Sequence, residues 1–173
     1  MSRWIFGLAL AALVGTGCTA PGSATAAEAN ARLAPLLGAS DWIGAQPSAA
    51  TLKGKVVVLD VFTVDCWNCQ NVIPMLRSLD AADSARGLAI VGIHSPETPP
   101  ERDRSYVDAS LRRQEISWPI AVDNDFTLWK DYGVNAWPTE LFFDRHGRWR
   151  ATIVGDQQDE QVKATVEKLL AER

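Results

Sequence analysis

VLDVFTVDCWNCQNVIP, Val58 to Pro74, sets two cysteines two residues apart, with Asp60 six positions before the first and Pro74 five after the second. Upstream, Lys55 to Phe62 (KVVVLDVF) is an apolar run broken only by Asp60. Such a run predicts a central strand buried on both faces. Downstream, Val72, Met75, Leu76 and Leu79 recur at helical spacing. They predict a helix from about Trp67 to Ala82, bent at Pro74. Cys66 therefore falls between the end of a buried strand and the start of a helix.

Further along, LAIVGI (Leu88 to Ile93) reads as a second buried strand, and residues 101–114 as a polar surface helix. Pro119 to Val122 is a short strand, and Thr127 to Tyr132 one or two helical turns. TELFFD (Thr139 to Asp144), the turn Arg145–Gly147 and WRATIV (Trp149 to Val154) make a β-hairpin. Val162, Val166, Leu169 and Leu170 form one stripe of a last helix. A short edge strand is expected near Trp42-Ile43. Two buried strands joined through a helix are parallel, with a right-handed crossover. The fold class is α/β: a mixed sheet with helices on both faces, in one domain of residues 41–173. No internal repeat appears.

The 173 residues are 47% hydrophobic and 22% charged, with a net charge of −4. That composition buries a core, and acids and bases are interspersed. No basic stripe marks a nucleic-acid partner or an anionic membrane surface. Arg3 followed by the apolar Ile5–Gly15 has signal-peptide form, too short for a comfortable bilayer span. Residues 18–40 begin with small and polar types and read as a flexible tether. Three outcomes stay open. Cys18 follows the apolar core as a lipid acceptor would, making residues 1–17 the signal. Cleavage at Ala24-Thr25-Ala26 would remove residues 1–26 and release a soluble protein. An uncleaved segment would anchor the chain. All three put the domain outside the cytoplasm, in a periplasmic or extracytoplasmic space.

With Cys18 explained separately, Cys66 and Cys69 remain as one close pair. Zinc needs four ligands, and the chain has only His94 and His146 besides. A structural disulfide closing so short a loop restrains the unfolded chain little. A redox pair has a mechanism. The helix N-terminus offers free N–H groups and its positive dipole end to a Cys66 thiolate. Cys69, one turn in, resolves the mixed disulfide.

At this point the sequence resembles a known family. Cys66-Trp67-Asn68-Cys69 after a buried strand, Pro74, Asp60 and Trp137-Pro138-Thr139 are similar to the thioredoxin active site over about Trp42 to Leu170. GIHSPE (Gly92 to Glu97) and AVDND (Ala121 to Asp125) narrow this to exported TlpA/ResA-type thioredoxins, above all the thioredoxin-like domain of DipZ proteins. The resemblance implies a thioredoxin fold and thiol–disulfide oxidoreductase activity without a cofactor or metal. It implies a nucleophile (Cys66), a resolving thiol (Cys69) and a buried acid that takes the Cys69 proton (Asp60). It also implies a cis-proline at Pro138 which, with Trp67, Asn68 and Trp137, meets substrate. Disulfide-containing proteins would be the substrates, and a membrane thiol transporter of the CcdA/DsbD type the electron donor. His94 and Glu97 follow the second strand and could tune the cysteines or serve the loop. Asp65 sets a negative charge beside the nucleophile, which disfavours its thiolate if close. Two alternatives stand beside this reading. Thr63-Val64-Asp65-Cys66 fits the T-x-x-C of peroxiredoxins, though Leu59 replaces the expected proline. A non-catalytic metal- or heme-delivery module could use the pair as ligands.

Overall fold

The computed structural model describes residue 1 and residues 26–172. Cys18 and nearly all of the signal segment lie outside the described residues. Among the described residues no helix is long and apolar enough to cross a membrane.

A six-stranded mixed sheet runs in the order β1-β4-β3-β2-β5-β6. Its strands are β1 (Trp42–Ile43), β2 (Val56–Phe62), β3 (Leu88–His94), β4 (Ile120–Val122), β5 (Thr139–Phe143) and β6 (Trp149–Val154). The predicted central strand is β2, buried at every residue. It pairs parallel with β3 and antiparallel with β5. β3 pairs parallel with β4, while the hairpin strand β6 and the short β1 close the two edges. Gly92 on β3 has a packing reason: a Cβ there would run into Ile120 Cδ1.

The helices are α1 (Ala26–Gly38), α2 (Ala49–Leu52), α3 (Trp67–Asp83), α4 (Arg104–Arg113), α5 (Thr127–Asp131) and α6 (Asp159–Ala171). Alternation along the strands divides the core in two. Val56, Val58 and Phe62 pack with α3, α4 and α6 through Val72, Leu76, Leu111 and Val166. Val57, Leu59 and Val61 pack on the other face with Leu33 and Leu36 of α1, Leu52, Leu128 and Tyr132. The stripe of Val162, Val166, Leu169 and Leu170 is buried as its spacing predicts.

Two expectations need correction. Residues 26–38 are helical, so the tether assigned to 18–40 does not hold there and the folded unit begins before residue 41. Alanine-rich chain suits a linker and a helix equally well. What decides is Leu33 and Leu36, one turn apart and buried against α5. The Leu36 N–H also donates to Tyr132 Oη at 3.3 Å. Leu36 is fully enclosed, so Leu36→Ala is expected to cost about 2–4 kcal/mol in urea unfolding. A loss within error would mean that α1 does not belong to the cooperative unit. Secondly, the polar helix of 101–114 begins only at Arg104, after a 3-10 turn over Pro99–Arg102. Its inner side buries Val107, Ser110 and Leu111, and Glu101 is wholly enclosed.

Candidate active site

β2 and β3 run parallel, so their carboxyl ends open on one edge of the sheet, where α/β sites gather. The loop after β2 delivers Cys66 as the N-cap of α3. Its Sγ accepts the Cys69 N–H at 3.3 Å, the position a Ser, Thr or Asp oxygen takes at other helix starts. Cys69 is buried and Cys66 partly exposed. Both stand as free thiols.

The two thiols are driven apart. Hydrogen bonding from the Cys69 side chain pulls the Cys66 thiol from 9.0 to about 7. Burial opposes this, and the backbone N–H groups of Cys69 and Asn68 reinforce it. Cys69 is pushed far above the ordinary thiol range, first by the same bond seen from its other end, then by burial and by the charges of Cys66 and Asp60. The outer sulfur ionises near neutral pH, and the inner one keeps its proton.

Asp60 lies 2% exposed on the α3 face of β2. Burial first, and the nearby Cys66 second, raise its carboxyl from 3.8 to about 7. Directly across in register stands Glu140 of β5, fully enclosed. Burial and Asp60 push Glu140 from 4.5 to about 9. Glu140 is not among the residues that the sequence singles out. Its one signal there is an acid inside TELFF, a strand otherwise fit for the core.

Glu101, expected on a surface helix, instead braces the site. Its Oε1 accepts from Thr63 Oγ1 and from the Asp65 N–H at 3.0 Å. Its Oε2 accepts from the N–H groups of Glu97 at 2.9 Å and Thr98 at 2.6 Å. One carboxylate thus ties the cysteine loop to the loop after β3. Burial works against its charge, but these donors together hold it below the usual carboxylate range. The pattern Thr98-Pro99-Pro100-Glu101 is the available clue, a T-x-x-E turn. The Val64 carbonyl accepts from the side-chain amides of Gln70 and Gln114, each at 2.9 Å, and holds the same loop from its other side.

Around this centre, Trp67 is 74% exposed and Asn68 is exposed beside it. The Trp137–Pro138 peptide is cis. Trp137 is half-buried, its ring 4.5 Å from that of Trp129, and it borders the same core as Cys66. Glu97 is exposed and its charge raises the Cys66 thiol. His94 is enclosed, packed edge-on to Phe62, with Nε2 3.4 Å from Thr63 Oγ1. Burial lowers it to about 4, so it is neutral. The Asp65 carboxylate turns outward and accepts from Tyr106 Oη at 2.9 Å. The acids that oppose the Cys66 thiolate are therefore Glu97 and, once ionised, Asp60, where the sequence pointed to Asp65. Among the described residues, no group of three or more His, Cys, Asp or Glu is arranged to hold a metal ion.

Comparison with known proteins accords with this geometry. The AhpC/TSA family matches residues 31–160. Protein DipZ of Mycobacterium bovis is 33% identical over 139 residues, 78% of this chain and 20% of that protein. The thiol-disulfide oxidoreductase ResA of Bacillus cereus is 25% identical over 136 residues, covering 79% of this chain and 76% of ResA. A thiol-disulfide isomerase from Corynebacterium glutamicum shares the fold, with a TM-score of 0.70 at 24% identity over 78% of this chain and 94% of that one. The chain spans 11–20% of the length of the first curated relatives it matches. The chain belongs to the AhpC/TSA family and has the thioredoxin fold.

Proposed function

We propose that this protein is an exported reductase of protein disulfides, working through Cys66 and Cys69. The observation that carries the reading is the division of the two thiols: an accessible, ionising Cys66 above an enclosed, protonated Cys69. The Cys66 thiolate attacks one sulfur of a substrate disulfide, and the other leaves as a thiolate that takes a proton from water. Cys69 then gives its proton to Asp60 and attacks Cys66 Sγ. The Cys66–substrate bond breaks, the second substrate sulfur leaves with the electron pair, and the Cys66–Cys69 disulfide forms. Two electrons and two protons must return from outside. In an oxidising compartment that calls for a membrane thiol donor, and one of the CcdA/DsbD type is the partner we propose.

Trp67 and Asn68 give the substrate an exposed surface beside the sulfur, with Trp137 and Pro138 as the opposite wall. The Pro138 carbonyl already accepts from the Gly155 N–H at 2.9 Å. That narrows the backbone groups on offer to an incoming chain to those of Trp137. Export rests on the Ile5–Gly15 segment, and Cys18 is the proposed lipid attachment point if the chain is tethered. The peroxidase reading is weaker because Thr63 gives its hydroxyl proton to Glu101. A peroxidase would need that hydroxyl on the Cys66 thiolate.

The reduction potential of the Cys66–Cys69 couple tests the direction. Trp67 lies between the two cysteines in sequence, so its fluorescence can report oxidation in a dithiothreitol titration. A value below about −250 mV is expected for a reductase. One near −120 mV, as for a strong oxidant, would reverse the direction while leaving the pair as the site.

A further inference from the structure

Glu140 is a second enclosed acid that the proposed exchange does not use. It faces Asp60 in the β2–β5 ladder. Facing residues of an antiparallel pair put their side chains on the same side of the sheet, with Cβ atoms about 4.5–5.5 Å apart. Both carboxyls therefore enter one layer, beneath α3. The rest of that layer is mainly apolar, with Val58, Phe62, Phe142 and Ile153, and its nearest other polar group is the unpartnered Trp118 indole N–H beside Gly92. Among the described residues neither Glu140 oxygen has a hydrogen-bond partner. Gly92 lies across from Asp60 on the other flank and Ile153 across from Glu140, so neither neighbouring strand supplies a donor side chain there. The charged groups acting on Glu140 are Asp60 of β2 and Asp159 of α6, both negative. Those acting on Asp60 and the thiols from α3 are Cys66 and Cys69 themselves. Two carboxylates cannot both stay ionised so close together without water. Asp60 is the one that titrates near neutrality, so Glu140 is the one that keeps its proton. A protonated carboxyl is a hydrogen-bond donor, and a bond to the charged form of a neighbour favours that form.

We propose that Glu140 is a positioning residue for the redox pair: it stays uncharged, turns its O–H to the Asp60 carboxylate, and so sets how readily Asp60 takes the proton released by Cys69. Glu140 neither gains nor loses a proton in the exchange. The Cys69 proton goes to Asp60, and the Cys69 electron pair forms the bond to Cys66. Glu140 fixes the pH at which Asp60 is free to accept.

The proposal rests on the dithiol reading above, and the test separates the two. Glu140→Gln keeps a donor; Glu140→Met and Glu140→Leu do not. In reduced protein without substrate, carbon-13 NMR of labelled carboxyls follows Asp60 and Glu140 against pH. In parallel, Cys66 is loaded with thionitrobenzoate and the pH dependence of its release by Cys69 is recorded. The Met and Leu variants are expected to move the Asp60 midpoint upward by about one pH unit, a tenfold higher proton affinity, and to carry the release profile with it. Gln is expected to leave both in place. An unmoved Asp60 midpoint in the donor-free variants, or a wild-type Glu140 that ionises below pH 7, overturns the proposal. Should wild type release no thionitrobenzoate at any pH, the dithiol reading fails, and the NMR midpoints still decide for or against the carboxyl pair.

Discussion

A Cys66→Ser variant is expected to lose disulfide reduction altogether, more than about 10³-fold in insulin turnover, while Cys69→Ser accumulates mixed disulfides. The asymmetry follows from the helix start. Cys66 caps α3 with its sulfur and is about half ionised at neutral pH. The thiolate is the attacking species, and a serine hydroxyl at the same place does not ionise. Cys69 is 2% exposed and is turned toward Cys66 rather than toward substrate. Without it the first bond still forms and has no internal thiol to break it. Mass spectrometry of Cys69→Ser after exposure to an oxidised peptide should find one peptide on Cys66. Full insulin turnover by Cys66→Ser would sink the scheme. Turnover by Cys69→Ser at the wild-type rate would show that resolution comes from an external thiol.

What can be read without a structure is the part written in runs and spacings. KVVVLDVF and LAIVGI are long enough in apolar residues to declare buried parallel strands. A C-x-x-C between such a strand and a helix, with no further ligands for a metal, points to thiol chemistry. Chemistry carried by single residues is harder to see. Glu101 sits in a stretch of Pro, Arg and Asp whose average polarity points to a surface. Its burial depends on four donors converging from two loops, which no local pattern encodes. Glu140 matters through its cross-strand neighbour Asp60, far earlier in the chain, and register is a tertiary fact. Asp65 fails in the opposite sense. Adjacency in sequence suggests an electrostatic neighbour, but the Tyr106 hydroxyl draws its carboxylate away. Helix α1 is hidden because alanine-rich chain satisfies two descriptions until Tyr132 and the α5 side of the sheet select one.

Asp60→Asn is expected to make the protein more stable and a slower enzyme. The sign follows from the two ends of its titration. Unfolded, the carboxyl loses its proton near 3.8; folded, near 7. Below about pH 3.8 both states hold the proton and the residue contributes no pH dependence. Between there and pH 7 the unfolded chain ionises while the folded one does not, so stability falls as pH rises, and above about 7 the loss is complete. The rise from 3.8 to about 7 corresponds to about 4 kcal/mol. Asn carries no charge to desolvate, so urea unfolding should find it more stable by about that amount at about pH 8 and by little at about pH 4. Glu140, raised to about 9, continues the same downward slope to higher pH in wild type. The functional cost appears at resolution. With no acceptor beside it, the enclosed Cys69 must lose its proton to water, and attack on the mixed disulfide should slow by about 10²-fold. The rise in rate centred near pH 7 should disappear with it. First attack by Cys66 should change much less, because its thiolate is held by Cys69 and the helix N-terminus. An Asn variant equal to wild type in stability at about pH 8 would mean that Asp60 is not desolvated as its burial implies. One that resolves at the wild-type rate would give the proton of Cys69 another destination.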